Sequence, residues 1–185
     1  MKKIIILAIS FIFFCSAVVS FAQGIPKEDV MSTPSSIKTI DYTLPYPGLL
    51  PDNPLYVLKA IRDRIVEVLI SDPIKKANFE LLTADKRLNE GVFLFNKGEK
   101  KYAFAETTIS KGENYFEKGI AELEKAKKQG IVTASTSQKY HSASLKHIEI
   151  IKGLINKSRG DIKQGLLLDE RRMENFEKKL RYLNL

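Results

Sequence analysis

The side chains best suited to catalysis or metal ligation in this chain are its two histidines, His141 and His147, both within KYHSASLKHIEI. On a helix of ~3.6 residues per turn this spacing sets the two rings on different faces, poor geometry for two ligands of one metal. His147 falls on the inward face with Tyr140 and Ser144, a polar inner-face cluster. The expected role is a hydrogen-bonded core histidine, and the alternative is a metal-binding or pH-sensing one. The acid pairs Glu122 with Glu124 and Asp169 with Glu170 sit among Lys and Arg and read as solvated helix surface. Serines recur from Ser135 to Ser144, but none stands on a nucleophile elbow, and the sequence contains neither HExxH nor a glycine-rich phosphate loop. No enzyme, cofactor or metal site is expected from this inventory.

The elements that would carry these residues are helices. Pro45, Pro47 and Pro51 restrict their own dihedrals and those of the residues before them, so residues 43 to 51 are expected to run as an extended strap. Asn53 is then a suitable N-cap, with Pro54 at the first helical position. After it, Leu55, Leu58, Ile61, Ile65, Val68 and Leu69 recur at helical spacing, which predicts a first helix with Leu55 opening its core face. Tyr56 neighbours that stripe and can face either way. Pro51, Asn53, Pro54, Leu55 and Tyr56 are therefore a helix start first, and a proline-rich ligand for an aromatic groove as the alternative.

Asp72-Pro73 repeats the cap-then-proline arrangement and opens a second helix. From there Ile74, Leu81, Leu88, Phe95, Tyr102, Ile109, Phe116 and Leu123 fall seven apart, each followed three residues later by Ala77, Ala84, Gly91, Gly98, Ala105, Gly112, Gly119 and Ala126. Large and small residues thus alternate along one seam. Asn96-Lys97-Gly98 is a good stop, so the seam reads as a hairpin, 73–96 and about 99–129, ended by Gly130. After a polar turn from Ile131 to Ser137, a fourth helix runs to about Asn156. A break at Lys157-Ser158-Arg159-Gly160 precedes a last helix burying Ile162, Leu166, Met173, Phe176, Leu180 and Leu183. No stretch alternates convincingly with period two. The class is all-α, an antiparallel bundle of about five helices at residues 44–185.

Lys2 and Lys3, the apolar run Ile4 to Phe14 and the small-residue stretch ending Ser20-Phe21-Ala22 follow the grammar of a secretory signal, cut before Gln23. An uncleaved Ile4 to Ala22 would be an N-terminal anchor instead. Cys15, the single cysteine of the chain, leaves with residues 1–22, so packing alone must hold the mature chain together. Residues 23–43, rich in Ser, Thr, Pro and Lys, read as a flexible spacer. The formal charge of +8 falls to +6 once Lys2 and Lys3 are removed. This excess is interleaved with Glu and Asp, which argues against a specific nucleic-acid footprint.

PGLLPDNPLYVLK shortly after a signal peptide, with the later run ADKRLNEGVFLFNKGEKKYAFA, resembles a family of secreted or envelope-associated bacterial helical domains of unknown function. The likeness covers roughly residues 47 to 156 and is strongest from Leu50 to Tyr56, with Lys59. It implies an all-helical extracytoplasmic module and brings no catalytic residue. The expected function is a non-catalytic module, structural or macromolecule-binding, at the bacterial cell envelope. Its partner would be an envelope protein or an anionic polymer, with membrane contact only transient through the signal. A tetratricopeptide-like scaffold, from Leu94, Gly98 and Ala105 in one hairpin, is the alternative, although such units need several copies.

Overall fold

The fold is described from a computed structural model, which describes residues 40–183. The expected signal peptide and most of the expected spacer lie outside the described residues. Five α-helices follow in order: α1 (Tyr56–Leu69), α2 (Pro73–Phe95), α3 (Tyr102–Lys128), α4 (Ala134–Ile155) and α5 (Gly160–Leu183), with a short 3₁₀ turn, Glu99–Lys101, ahead of α3. Among the described residues there is no strand.

Local chemistry sets most of the boundaries. At Asp72 the side chain accepts from the Lys75 amide at 2.8 Å and Pro73 begins the helix, so an orphan donor is satisfied and the missing proline N–H costs nothing. Gly98 breaks the hairpin with φ +104°, a region closed to residues with a Cβ. At the end of α3, Gly130 (φ +73°) lets the Ile131 amide reach back to the Ala126 carbonyl at 3.0 Å, a Schellman closure. The fourth helix begins at Ala134, earlier than the expected polar turn allowed, because the Thr133 carbonyl already accepts from the Ser137 amide.

Helix α1 starts later than its caps predict. The Asn53 side chain accepts from the Leu55 amide at 2.9 Å, and the Asn53 carbonyl accepts from the Tyr56 amide at 3.0 Å. Asn53 thus makes a tight turn ahead of the helix, Pro54 lies in that turn, and regular helix begins at Tyr56.

The hairpin α2–α3 is the most extensive helix pair, and α4 and α5 complete a ring in which α2 meets α3, α3 meets α5, α5 meets α4 and α4 meets α2. Their shared centre holds Leu81, Phe116, Tyr140, Ile151 and Met173, with Phe116 stacked on Phe176 (5.9 Å) and edge-on to Tyr140 (5.0 Å). Ala77, Ala84, Ala105 and Ala126 are wholly buried. The glycines of the seam admit close neighbours: a Cβ on Gly112 would stand 2.9 Å from Arg87 Cβ and 3.2 Å from the Ala84 carbonyl oxygen. A Cβ on Gly119 would overlap Tyr140 Oη, and one on Gly91 would overlap Ile109. The large-and-small alternation is therefore the packing code of four helices. Helix α1 stands apart from them, lying lightly against α2.

Candidate interaction surface

Helix α1 is amphipathic, yet its apolar face points outward. Leu55, Val57, Leu58, Ile61, Ile65, Val68 and Leu69 are each more than half exposed. The expected core face of the first helix is thus its solvent face, and Leu55 opens no core. The reason lies on the opposite side, where Tyr56, Lys59 and Glu67 turn toward the bundle and find polar partners. Tyr56 Oη donates to Glu90 at 2.9 Å, Lys59 Nζ bonds the other Glu90 oxygen at 2.5 Å, and Arg87 reaches Glu90 at 3.2 Å. Glu90 itself is only 1% exposed. Burial raises its pKa above the usual carboxylate range even against these two cations. Two turns on from Lys59, the largely buried Glu67 accepts from Lys118 of α3 and from Arg64, both at 2.8 Å. Burial would raise its pKa, but Lys118 and Arg64 together hold it below the ordinary value.

The strap closes the same latch. Lys59 Nζ also donates to the Pro47 carbonyl at 2.7 Å and the Leu49 carbonyl at 3.3 Å, and Asn89 Nδ2 donates to the Pro45 carbonyl at 3.0 Å. Asp52 pairs with Lys97 and Lys101 beside the hairpin turn. Tyr42, within the segment read as spacer, donates to Asp85 at 2.6 Å. The segments PGLLPDNPLYVLK and ADKRLNEGVFLFNKGEKKYAFA therefore meet, through Lys59 and Tyr56 on Glu90 and through Asp52 on Lys97 and Lys101. Lysine is suited to the junction because its three donors can serve two carbonyls and a carboxylate at once.

Within the motif, Pro51 and Asn53 are half-buried, Pro54 and Leu55 are exposed, and Tyr56 is half-buried with its hydroxyl inward. Between α1 and α2 lies a cleft of about 230 Å³ bordered by Arg62, Val66, Phe79, Leu82 and Lys86. It mixes aliphatic stems with cations and contains no nucleophile set against a base.

Tyr140, Ser144 and His147 are all buried on the inner face of α4, but they do not bond one another. Tyr140 Oη donates to the Ala77 carbonyl at 2.6 Å, and Ser144 Oγ donates to the His141 carbonyl. His147 Nε2 bonds Asp85 at 2.9 Å, and Asp85 also accepts from Tyr42. Tyr140 and His147 thus fix α4 onto α2, and Asp85 ties Tyr42, just ahead of the strap, to the same point. His141 lies elsewhere, bonded to Glu177 at 2.8 Å. Among the described residues no group of three His, Cys, Asp or Glu is placed to hold a metal ion.

Asp169, read above with Glu170 as solvated helix surface, is instead buried, as are Glu80 and Glu113, which the sequence did not single out. Burial, helped by the charge on Glu67, pushes Glu80 up to about 7. Burial and then the neighbouring Asp169 push Glu113 up to about 10, and burial with the charge of Glu106 pushes Asp169 up to about 7. Glu113 and Asp169 face each other across α3 and α5, with Arg172 at 3.5 Å from Glu113.

Among the described residues no helix is long and apolar enough to cross a membrane. No curated protein and no solved structure matches the sequence. A family model does match, over residues 48–159, and is described as Domain of unknown function (DUF5667). That span begins within the strap, includes the pairing of Lys59 with Glu90 but not the Pro45 and Pro47 carbonyls, and ends at the break before α5. Since it covers more than half of the chain, the protein belongs to the DUF5667 family.

Proposed function

We propose that this protein is a non-catalytic, extracytoplasmic helical module that attaches to another component of the bacterial cell envelope through α1. The observation that carries the reading is the inverted helix. Six aliphatic side chains of α1, with Leu55 just before it, are each more than half exposed and form one stripe, the kind of contiguous apolar surface that marks an interaction site. Such exposure is unfavourable in water at ~25 cal/mol per Å², yet α1 is held in that orientation by buried polar bonds rather than left to roll inward. A helix pinned by its polar face presents its apolar face to a partner. The N-terminal grammar of a secretory signal supports the extracytoplasmic part of the reading.

The test is fractionation of cells making either the parent or a Leu58→Asn/Ile65→Asn double variant, with intact mass measured on the recovered protein. The parent is expected with the envelope and cleaved before Gln23. The variant is expected to be equally folded and cleaved, but released into the soluble extracytoplasmic fraction. Recovery of both in the cytoplasm, or equal retention of both in the envelope, contradicts the reading.

A further inference from the structure

We propose that the partner of α1 is an anionic lipid surface, on which the helix lies in the plane of the headgroups with its aliphatic stripe inserted; this rests on the envelope-attachment reading above. The charges bordering the stripe single out this occupant. Arg62 flanks one edge and Arg64 the other, and both side chains are about two-thirds exposed, at 65% and 66%. Their acidic partners lie inward: Asp63 is 22% exposed and Glu67 9%. A surface approaching the stripe therefore meets aliphatic side chains between two guanidinium groups, with the carboxylates behind them. An aliphatic band bordered by basic residues is the pattern of a helix that rests at a bilayer interface, held by apolar burial and by attraction to anionic lipid. The in-plane position also suits the length of α1, since its 14 residues fall short of the ~20 needed to span.

A second copy of the chain fits less well. Leu58, Ile61, Ile65 and Val68 have the 3-4-3 spacing of a coiled-coil seam, but two α1 helices paired antiparallel about their midpoint would set each Arg62 beside its counterpart along one edge and each Arg64 beside its counterpart along the other. A parallel pair would leave those arginines without carboxylates opposite, because Asp63 and Glu67 face the bundle. Two heptads also bury less than the ~1,200 Å² of a stable interface. A groove on another protein would need its own row of carboxylates along both edges, which a bilayer containing anionic lipid supplies without a matched shape.

The chain contains no tryptophan, so one can be placed as a reporter. The full chain carrying Leu58→Trp, mixed with vesicles of equal parts phosphatidylglycerol and phosphatidylcholine, should show a blue-shifted emission that brominated acyl chains quench. Vesicles of phosphatidylcholine alone should produce a much smaller shift. Adding Arg62→Gln and Arg64→Gln should weaken vesicle binding by about thirtyfold, since each basic residue near such a surface contributes ~1 kcal/mol. Tyr182→Trp, near the far end of α5 and 76% exposed, should not shift, which separates docking by α1 from insertion of the apolar N-terminal run. The proposal is overturned if Leu58→Trp does not shift, if neutral vesicles serve equally well, or if Tyr182→Trp shifts alike. It is also overturned if the Leu58→Trp shift appears without vesicles and grows with protein concentration, the sign of a second copy. Loss of the vesicle effect with the fractionation difference intact would leave envelope attachment standing and remove the lipid.

Discussion

The α2–α3 hairpin and helix α1 have the same kind of sequence pattern and opposite relations to water. Along the hairpin, residues spaced seven apart are buried, from Leu81 and Leu88 to Phe116 and Leu123. Along α1, residues at the same helical spacing are exposed, from Leu58 and Ile61 to Ile65 and Val68. The difference lies in what stands opposite the stripe. In the hairpin the far face carries lysines and glutamates that lose nothing in water. In α1 the far face carries Tyr56, Lys59 and Glu67, for which the bundle offers Glu90, Lys118 and the strap carbonyls. Periodicity therefore establishes that a segment is helical and which residues share a face, whereas the direction of that face depends on partners distant in sequence.

Breaking the latch should have the largest effect. Lys59→Met removes the ammonium group that joins Glu90 to the Pro47 and Leu49 carbonyls. Leaving a buried carboxylate short of its partner costs ~3–5 kcal/mol; Arg87 and Tyr56 remain on Glu90, so the lower end is expected. The urea midpoint measures the loss, and hydrogen exchange should show α1 and the strap opening before α2 and α3. A Lys59→Met variant as stable as the parent would mean that the polar face does not orient the helix.

The seam of the hairpin should respond next. Gly112→Leu and Gly119→Leu each force a side chain into occupied space, against Ala84 and Arg87 in one case and Tyr140 in the other, at ~1–3 kcal/mol. The exposed Lys111→Leu should change the urea midpoint little. Equal midpoints for all three variants would show that the seam does not pack as described.

A smaller effect comes from the buried acids. Glu80 and Asp169, raised to about 7, and Glu113, raised to about 10, hold their protons more tightly folded than unfolded. Their contribution is fully present below the unfolded values of 4.5 and 3.8. It is lost as pH rises through 7, and for Glu113 on toward 10. Glu113→Gln keeps the shape and removes the titration. Thermal melting between pH 5 and 9 should fall less steeply for this variant than for the parent, with the variant the more stable at pH 8. Parallel curves would place Glu113 in contact with water.

Much of the bundle was legible because its signals are local. Asp72-Pro73, Gly98 and Gly130 mark ends whose geometry depends on neighbouring residues, and the small residues at every fourth place of the heptad announce a close helix pair. The inward position of His147 was also legible from its phase on α4, but its partner Asp85 comes from α2 and no local pattern pairs them. The acids Glu80, Glu90 and Glu113 could not be distinguished by type from solvated glutamates in lysine-rich helices. Lys59 appeared in the motif only as a fixed point of resemblance. Its bonds to the strap arise because the chain folds back at Pro51-Asp52-Asn53-Pro54, which sequence spacing alone does not reveal.

The orientation of α1 is tested most directly by the urea midpoints of Ile65→Asn and Leu81→Asn measured side by side. Ile65 is 55% exposed and Leu81 is wholly buried. Ile65→Asn is expected to stay within about 0.5 kcal/mol of the parent, as a surface substitution does, while Leu81→Asn is expected to lose several kcal/mol by burying an unpaired amide. A loss at Ile65 comparable to that at Leu81 would show that the aliphatic stripe of α1 faces the core, contradicting the outward surface on which the proposed function depends.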